Sequence, residues 1–113
     1  MGSGLTGQRF AFVGYVPVAE DQRATRLREI ERRSAIEDET QLLIETPYRT
    51  QALFEAMIAT LAGDTMLTVA AELTLAGERL QTHSVGQWRT ARTALARAPT
   101  VFALLARQRA RAR

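Results

Sequence analysis

The sequence contains no cysteine and no lysine, and it has a single histidine. The absence of cysteine excludes a disulfide scaffold, a thiol nucleophile and a cysteine-ligated metal, and it is typical of a reducing compartment. His83 has no second histidine with which to form a zinc site, so we interpret it as a polar residue at a strand end. No apolar run approaches the roughly 18 residues of a membrane-spanning helix, and we expect no signal peptide. We therefore predict a cytoplasmic protein with no metal and no membrane segment.

The basic residues are all arginine, and they are unevenly distributed. Fifteen arginines against twelve acidic residues give a sequence pI of about 10.5. Four of the fifteen lie in residues 107–113, whereas residues 1–106 hold eleven arginines and twelve acids, a net charge of −1. The hydrophobic content of 46% and the charged content of 24% are typical of one globular domain. We expect a flexible leader over 1–8, a folded domain over 9–106 and a basic tail over 107–113.

The first third of the chain predicts two strands separated by a helix. The run from Arg9 to Val16 is rich in aromatic and β-branched residues, and because both of its faces are apolar we expect it to be covered on both sides. Residues 19–36 have the composition of a surface helix. The short apolar run at 41–45 predicts the second strand. The thin apolar stripe of the helix is formed by Ala24, Leu27 and Ile30.

A second helix is predicted directly after the second strand. Thr46 is suited to be its N-cap and Pro47 its first residue, and Gly63 is the glycine expected after its last turn. The predicted helix therefore covers residues 47–62. The residues predicted to lie on its buried face are Ala52, Leu53, Ala56, Met57, Thr60 and Leu61.

The rest of the chain predicts a hairpin, a short helix and a last strand. Ser84 and Gln87 have the spacing of a capping box, which begins a short helix that carries Trp88. The order of the elements predicts an α/β sandwich with a mixed sheet. The predicted ranges are a strand over 66–73, a turn at 76–77, a strand over 78–82 and a final strand over 100–106.

Three further patterns each allow two interpretations. The glycines of residues 2–7 match a dinucleotide-binding fingerprint by letter, but no strand precedes them, so we interpret them as leader. Glu37, Asp38 and Glu39 are interpreted as a solvated loop, with Mg²⁺ binding as the alternative. Five arginines of the first helix alternate with acids, which indicates a salt-bridged surface or an RNA-facing one. They are Arg23, Arg26, Arg28, Arg32 and Arg33.

Two predicted strand ends carry both an acid and a hydroxyl. The second strand runs into Glu45-Thr46-Pro47-Tyr48-Arg49, and the third into Glu72-Leu73-Thr74. Ligands of open α/β sheets bind at the carboxyl ends of strands, so these residues form a candidate site. A capped helix and a charged loop explain the same letters without a ligand.

Three blocks in order resemble one family. They are Phe10-Ala11-Phe12-Val13-Gly14-Tyr15-Val16-Pro17, then Glu45-Thr46-Pro47-Tyr48-Arg49, then Ala71-Glu72-Leu73-Thr74. Together they resemble the C-terminal domain of tetrapyrrole methylase superfamily proteins, nearest the ribosomal RNA small-subunit methyltransferase I-like branch. Leu75 stands where that branch often has lysine. The resemblance extends from about residue 3 to residue 106.

The resemblance implies S-adenosylmethionine as cofactor, folded into a cleft between two α/β domains. It implies an N-terminal domain with glycine-rich cofactor loops, so we expect this half alone to bind the cofactor weakly. The acceptors implied are a ribose 2′-hydroxyl of ribosomal RNA or a tetrapyrrole, with no catalytic residue assigned. The implied substrate-contacting residues are Tyr48, Arg49 and Thr74. The implied cofactor-lining residues are Glu45, Thr46, Pro47, Ala71, Glu72, Leu73, Pro99 and Thr100.

Two hypotheses of different classes follow. In the first, the chain is the C-terminal half of a methyltransferase and forms one wall of the cofactor cleft. In the second, it is a non-catalytic, stand-alone domain that forms a homodimer or binds RNA through its arginine-rich tail.

Overall fold

The computed structural model describes residues 9–71, 79–91 and 99–107. Within these residues, five strands and three helices follow one another in the order that the sequence predicts. The predicted leader at 1–8 and the predicted turn at 76–77 lie outside the described residues. The elements are β1 (Arg9–Gly14), α1 (Glu20–Glu37), β2 (Glu39–Glu45), α2 (Thr50–Thr60), β3 (Met66–Ala71), β4 (Arg79–Ser84), α3 (Val85–Ala91) and β5 (Thr100–Leu105).

The strands form one mixed sheet in the order β1-β2-β5-β3-β4. β1 and β2 are parallel, whereas β5 is antiparallel to both of its neighbours, β2 and β3. β2 and β3 therefore run in the same direction on either side of β5. We call the end at which β1, β2 and β3 finish and β5 begins the carboxyl end of the sheet, and the opposite end its amino end. The predicted mixed α/β architecture is confirmed.

The core lies on one face of the sheet, beneath the three helices. Leu43 of β2 pairs with Phe102 of β5, which in turn pairs with Val69 of β3, and all three side chains are buried. Because directly paired residues share a face, this row marks the helix-covered side. The helices add buried apolar side chains to the same cluster, namely Leu27, Ile30, Leu53, Phe54, Met57, Val85 and Trp88. None of the described helices has the length and apolarity needed to cross a membrane.

The other face of the sheet is exposed at β1, whereas Thr40, Thr68 and Ala103 on the same face are buried. Phe10 and Phe12 on β1 remain 52% and 69% exposed. They pair with Thr40 and Leu42 of β2, which places them opposite the helix-covered face. The expectation that this first strand is covered on both sides is therefore wrong for its phenylalanine face. β1 is an edge strand, and the described helices pack on the other side of the sheet.

α2 begins three residues later than the sequence predicts. The backbone carbonyl of Thr46 accepts hydrogen bonds from the Arg49 N–H, at 3.0 Å, and from the Thr50 hydroxyl, at 2.9 Å. The first of these bonds closes a tight turn over 46–49, so the helix starts at Thr50 with Arg49 as its N-cap. The prediction of Thr46 as N-cap and Pro47 as first residue is wrong, because the turn uses the Thr46 carbonyl before a helical bond can form.

The buried face of α2 also differs from the prediction. Leu53, Met57 and Leu61 are buried as expected, but Ala52 is exposed and Phe54, which was not predicted, is fully buried. Gly63 does not end the helix, which has Leu61 as its C-cap in an extended conformation. Its carbonyl instead accepts a hydrogen bond of 2.9 Å from the Gly86 N–H of α3. Gly86 allows this approach, since a Cβ there would lie only 3.3 Å from the Gly63 carbonyl oxygen.

The predicted capping box of α3 is confirmed. The Ser84 N–H donates to the Gln87 side-chain oxygen at 2.9 Å, and the Gln87 N–H donates to the Ser84 hydroxyl at 3.1 Å. This reciprocal pair satisfies two backbone donors at the start of a seven-residue helix. Trp88 is buried in the core, and its indole N–H donates to the Leu67 carbonyl at 2.9 Å. The side chain therefore ties α3 to β3.

Candidate functional site at the carboxyl end of the sheet

Three of the predicted cofactor-lining residues stand in one row across the sheet. Glu45, the last residue of β2, pairs with Thr100, the first residue of β5. Thr100 in turn pairs with Ala71, the last residue of β3. Pro99 immediately precedes Thr100, and Thr46 and Pro47 immediately follow Glu45. Residues that are 55 positions apart along the chain (45 and 100) thus become neighbours at the carboxyl end of the sheet.

Glu45 brings a buried carboxylate to this row. Its side chain is on the helix-covered face, and the residue is only 6% exposed. Within the described residues, its one hydrogen bond is accepted by Oε1 from the Thr46 N–H, at 2.7 Å. A carboxylate has about four acceptor positions, of which this bond occupies one. The side chain therefore retains acceptor capacity for the hydroxyl or N–H groups of a ligand.

The turn after β2 carries side chains of different exposure. Tyr48 is 82% exposed and Arg49 is also exposed. Thr46 and Pro47 are half-buried, and Thr50 is fully buried with its hydroxyl bonded to the Thr46 carbonyl. The turn therefore projects an aromatic ring and a guanidinium into solvent while its base stays fixed. Arg49 could bind an anionic group there.

Exposed apolar groups collect at the same end of the sheet. Tyr15 and Val18, in the segment that follows β1, are both exposed, as is Tyr48 after β2. Because β1 and β2 are parallel, these segments leave the sheet on the same side. The predictions from sequence missed Tyr15 and Val18 as candidate site residues. Their signal was available, since large apolar residues in a connecting segment are often binding residues.

Some predicted site residues lie beyond what the structure describes. Glu72, Leu73 and Thr74 fall in 72–78, outside the described residues, so their predicted roles remain predictions. Ala71 is placed by its backbone pairings with Thr100 of β5 and Arg79 of β4. The described residues contain no cluster of three metal-ligating side chains. His83 is exposed, and its ring lies 4.9 Å from that of Trp88 in an edge-on arrangement.

The acidic run at 37–39 is not a solvated loop throughout. Asp38 ends α1 in a left-handed conformation, with φ of 53°. Glu39 begins β2 and is buried, and its Oε1 accepts bonds from the Arg33 guanidinium at 2.9 Å and the Gln41 amide at 2.7 Å. These two hydrogen bonds lower the pKa of the Glu39 carboxyl, the one from Arg33 most. The group is paired within the fold at the amino end, far from the candidate site.

Comparison with known proteins agrees with the fold. No family model matches the chain. One curated relative, Ribosomal RNA small subunit methyltransferase I of Mesorhizobium japonicum, is 34% identical over 80 residues. That match covers 71% of this chain and 26% of the relative, so the chain spans about a quarter of the relative's length.

Two solved structures resemble the chain in fold. The crystal structure of the methyltransferase CobJ superposes with a TM-score of 0.53 at 15% identity, covering 92% of this chain and 44% of that one. The cobalamin biosynthetic enzyme cobalt precorrin-4 methyltransferase, CbiF, gives a TM-score of 0.53 at 19% identity, covering 84% and 40%. At such identities the likeness concerns the fold.

The mixed sheet with its acid-bearing strand end defines an α/β domain of the tetrapyrrole methylase fold. Together with the curated relative, this fold supports membership of the chain in the tetrapyrrole methylase family. The resemblance seen in the sequence is confirmed at that level.

Proposed function

We propose that this chain is the C-terminal half of an S-adenosylmethionine-dependent methyltransferase and forms one wall of its cofactor cleft. The observation that carries the proposal is the row formed by Glu45, Thr100 and Ala71, in which a buried carboxylate has a single donor among the described residues. The names of the relatives support it, since each is a methyltransferase. Because the chain spans about a quarter of the curated relative, a second domain would supply the opposite wall.

The residues at the carboxyl end fit the chemistry of the cofactor. S-adenosylmethionine supplies an activated methyl group, and it carries ribose hydroxyls, an ammonium group and an adenine ring. Glu45 can accept hydrogen bonds from the hydroxyl or ammonium groups. Thr46 and Pro47, which follow the end of β2, would line the adjoining surface together with Pro99. Glu72 and Leu73 are proposed to extend the same wall.

The proposed acceptor is a ribosomal RNA 2′-hydroxyl or a tetrapyrrole. Tyr48 and Arg49 project from the turn beside the proposed cofactor wall, and Thr74 is proposed to join them. An exposed arginine suits both acceptors, because RNA carries phosphates and tetrapyrrole precursors carry carboxylates. Positioning of the methyl donor against the acceptor would then supply most of the catalysis.

Calorimetry with S-adenosylmethionine tests this proposal. A chimera would fuse the region of the Mesorhizobium protein that precedes its matched residues ahead of this chain. We expect the chimera to bind the cofactor and the 113-residue chain alone to bind weakly, because half a cleft buries too little of the ligand. Glu45→Gln in the chimera should weaken binding about tenfold, which corresponds to about 1.4 kcal/mol.

Glu29→Gln is the matched control, since it neutralises an exposed acid on α1 away from the row. It should leave cofactor binding unchanged. A chimera that is folded by circular dichroism but gives no heat with the cofactor would overturn the proposal. Transfer of a labelled methyl group to small-subunit RNA or to a tetrapyrrole precursor would then separate the two acceptors.

A second candidate function is favoured by the exposed phenylalanines on one face of the sheet. Phe10 and Phe12 are exposed there, and the neighbouring Thr40 hydroxyl is buried with no hydrogen-bond partner in the described region. We propose, as the alternative, a stand-alone domain that forms a homodimer through this face. Sedimentation velocity would show a dimer that Phe10→Ser with Phe12→Ser converts to monomer. Tyr48→Ser, which removes an exposed aromatic elsewhere, should leave the dimer intact; a wild-type monomer contradicts this alternative.

A further inference from the structure

A groove lined by two arginines, one glutamate and four apolar side chains lies at the amino end of the sheet, away from the candidate site. Its volume is about 490 Å³. Arg28 and Arg32, one turn apart on α1, line one side, and Ala106, which follows β5, lines another. Because β5 runs opposite to β2, Ala106 lies at the end of the sheet opposite Glu45. The two locations are separated by about one six-residue strand, roughly 20 Å.

The two arginines of the groove differ from three other arginines of α1 and β1, which form ion pairs. Arg26 pairs with Glu29, and Arg33 pairs with Glu39. Arg9 pairs with Glu37. Within the described residues, Arg28 and Arg32 are exposed and form no ion pair. Their guanidinium groups are therefore available to an external anion.

The acid that lines the same groove is already engaged. Oε2 of Glu31 accepts a hydrogen bond from the Ala62 N–H, at 2.8 Å, and another from the Thr65 hydroxyl. These bonds fix the carboxylate on the connection between α2 and β3. Its negative charge offsets part of the local field, but its geometry is set by the fold rather than by Arg28 or Arg32.

The basic tail begins at this groove. The Ala106 N–H donates to the buried Ser34 hydroxyl of α1 at 2.8 Å, which fixes the chain beside the two arginines. Arg107 follows and is exposed. The sequence continues with three more arginines, Arg109, Arg111 and Arg113, beyond the described residues. The excess positive charge found in the sequence thus starts next to Arg28 and Arg32.

We propose that Arg28, Arg32 and Arg107 form a contact surface for the phosphate backbone of RNA. The charge complementarity is with a polyanion, since Arg28 and Arg32 are exposed beside the groove and the exposed Arg107 directly follows Ala106, which lines it. The choice of RNA rests on the RNA acceptor in the proposed function. The surface would hold the RNA backbone about 20 Å from the row that contains Glu45, and so would position a substrate without touching the reacting atoms.

Fluorescence anisotropy tests this surface. The probe is a 5′-labelled single-stranded RNA 20-mer, titrated with the 113-residue chain at several salt concentrations and without cofactor. We expect binding that weakens with salt, and Arg28→Gln with Arg32→Gln should lower the slope of log K against log salt by about 1.4, or 0.7 per lost phosphate contact. Removal of residues 107–113 should lower the slope further.

The matched control removes two arginines that are already paired. Arg9→Gln with Arg26→Gln changes the formal charge equally but breaks the pairs of Arg9 with Glu37 and Glu39 and of Arg26 with Glu29. This control should change the slope of log K against log salt for RNA by less than half as much as Arg28→Gln with Arg32→Gln does. Equal effects of the two pairs would show that only net charge matters and would overturn the groove. Stronger binding to the equivalent DNA strand, or to polyglutamate, would also overturn it.

The RNA-binding and cofactor-binding experiments separate failure of the groove proposal from failure of the proposed function. If the groove variant loses RNA binding while the chimera binds no cofactor, the groove proposal stands and the methyltransferase proposal falls. If the chimera transfers methyl groups to RNA and Arg28→Gln with Arg32→Gln leaves that transfer unchanged, the methyltransferase proposal stands and the groove proposal falls. Thermal melting followed by circular dichroism confirms that the variants are folded.

Discussion

Glu39 illustrates how tertiary contacts define the chemistry of a residue. In the sequence it is the last of three consecutive acids, a pattern typical of a solvated loop. In the fold it begins β2 and packs beneath α1, where Arg33 and Gln41 both donate to its Oε1. Arg33 comes from six residues earlier and Gln41 from two residues later. The pairing depends on α1 returning antiparallel to β2, which no local pattern of three acids can indicate.

The lowered pKa of Glu39 predicts how the stability depends on pH. Because the folded protein binds this proton less tightly than the unfolded chain, the pairing stabilises the fold fully above about pH 4.3, the ordinary value for glutamate. The stabilisation is lost as the pH falls through the lower pKa of the folded state. Thermal melting between pH 7 and pH 2.5 should therefore show a fall in Tm that begins below about pH 4.3.

Glu39→Gln supplies the comparison, because it keeps the shape and removes the titrating charge. We expect the variant to be less stable than the wild type at pH 7 and to lose less Tm on acidification. Glu55→Gln, on the exposed side of α2, should retain the wild-type profile. Parallel pH profiles for the wild type and Glu39→Gln would contradict the role assigned to this carboxyl.

Trp88 is the largest fully buried side chain, and its truncation should be the costliest substitution proposed. It packs edge-on against Phe54, with ring centroids 5.3 Å apart, and donates to the Leu67 carbonyl. Trp88→Ala should lower the free energy of unfolding by about 3–5 kcal/mol through the cavity and the lost hydrogen bond. Urea denaturation measures this. Val18→Ala, at an exposed position, should change it by less than about 0.5 kcal/mol.

At the scale of the element, α3 shows what a local signal can specify. Seven residues are too few for a stable isolated helix, so its ends must be satisfied by specific contacts. Ser84→Ala removes one half of the reciprocal pair with Gln87 and should cost about 1 kcal/mol in urea denaturation. Gln87→Glu keeps the acceptor and should cost much less. Equal losses in the two variants would argue against a capping box.

Elements with strong local signals were predicted well, and the errors have tertiary causes. The capping box, the glycine-free run of α1 and the apolar runs of β2 and β5 all carried through to the structure. The start of α2 did not, because the Arg49 N–H bonds to the Thr46 carbonyl and closes a turn over 46–49. Gly63 was interpreted as a helix end, whereas its role depends on the approach of Gly86 from α3.

At the scale of the molecule, the candidate site depends on the strand order. The acids and hydroxyls at 45–46 could be recognised locally, but their neighbour Thr100 comes from the far end of the chain. Insertion of β5 between β2 and β3 creates that row, and hydrophobic periodicity contains no information about such an insertion. The exposure of Phe10 and Phe12 also depends on tertiary structure, because the helices pack on the opposite face of the sheet.

The two ends of the sheet should act independently. The proposed cofactor row and the arginine groove are about 20 Å apart, which exceeds the Debye length of about 8 Å at physiological salt. Glu45→Gln should therefore leave RNA affinity unchanged, and Arg28→Gln with Arg32→Gln should leave cofactor affinity of the chimera unchanged. In the triple variant the changes in free energy of unfolding should add to within about 0.5 kcal/mol. A larger coupling, measured by urea denaturation of the wild type and the three variants, would mean that the sheet transmits a structural change between its ends. Independent effects would instead make this domain a rigid spacer, in which the length of the strands sets the distance from the bound RNA backbone to the methyl donor.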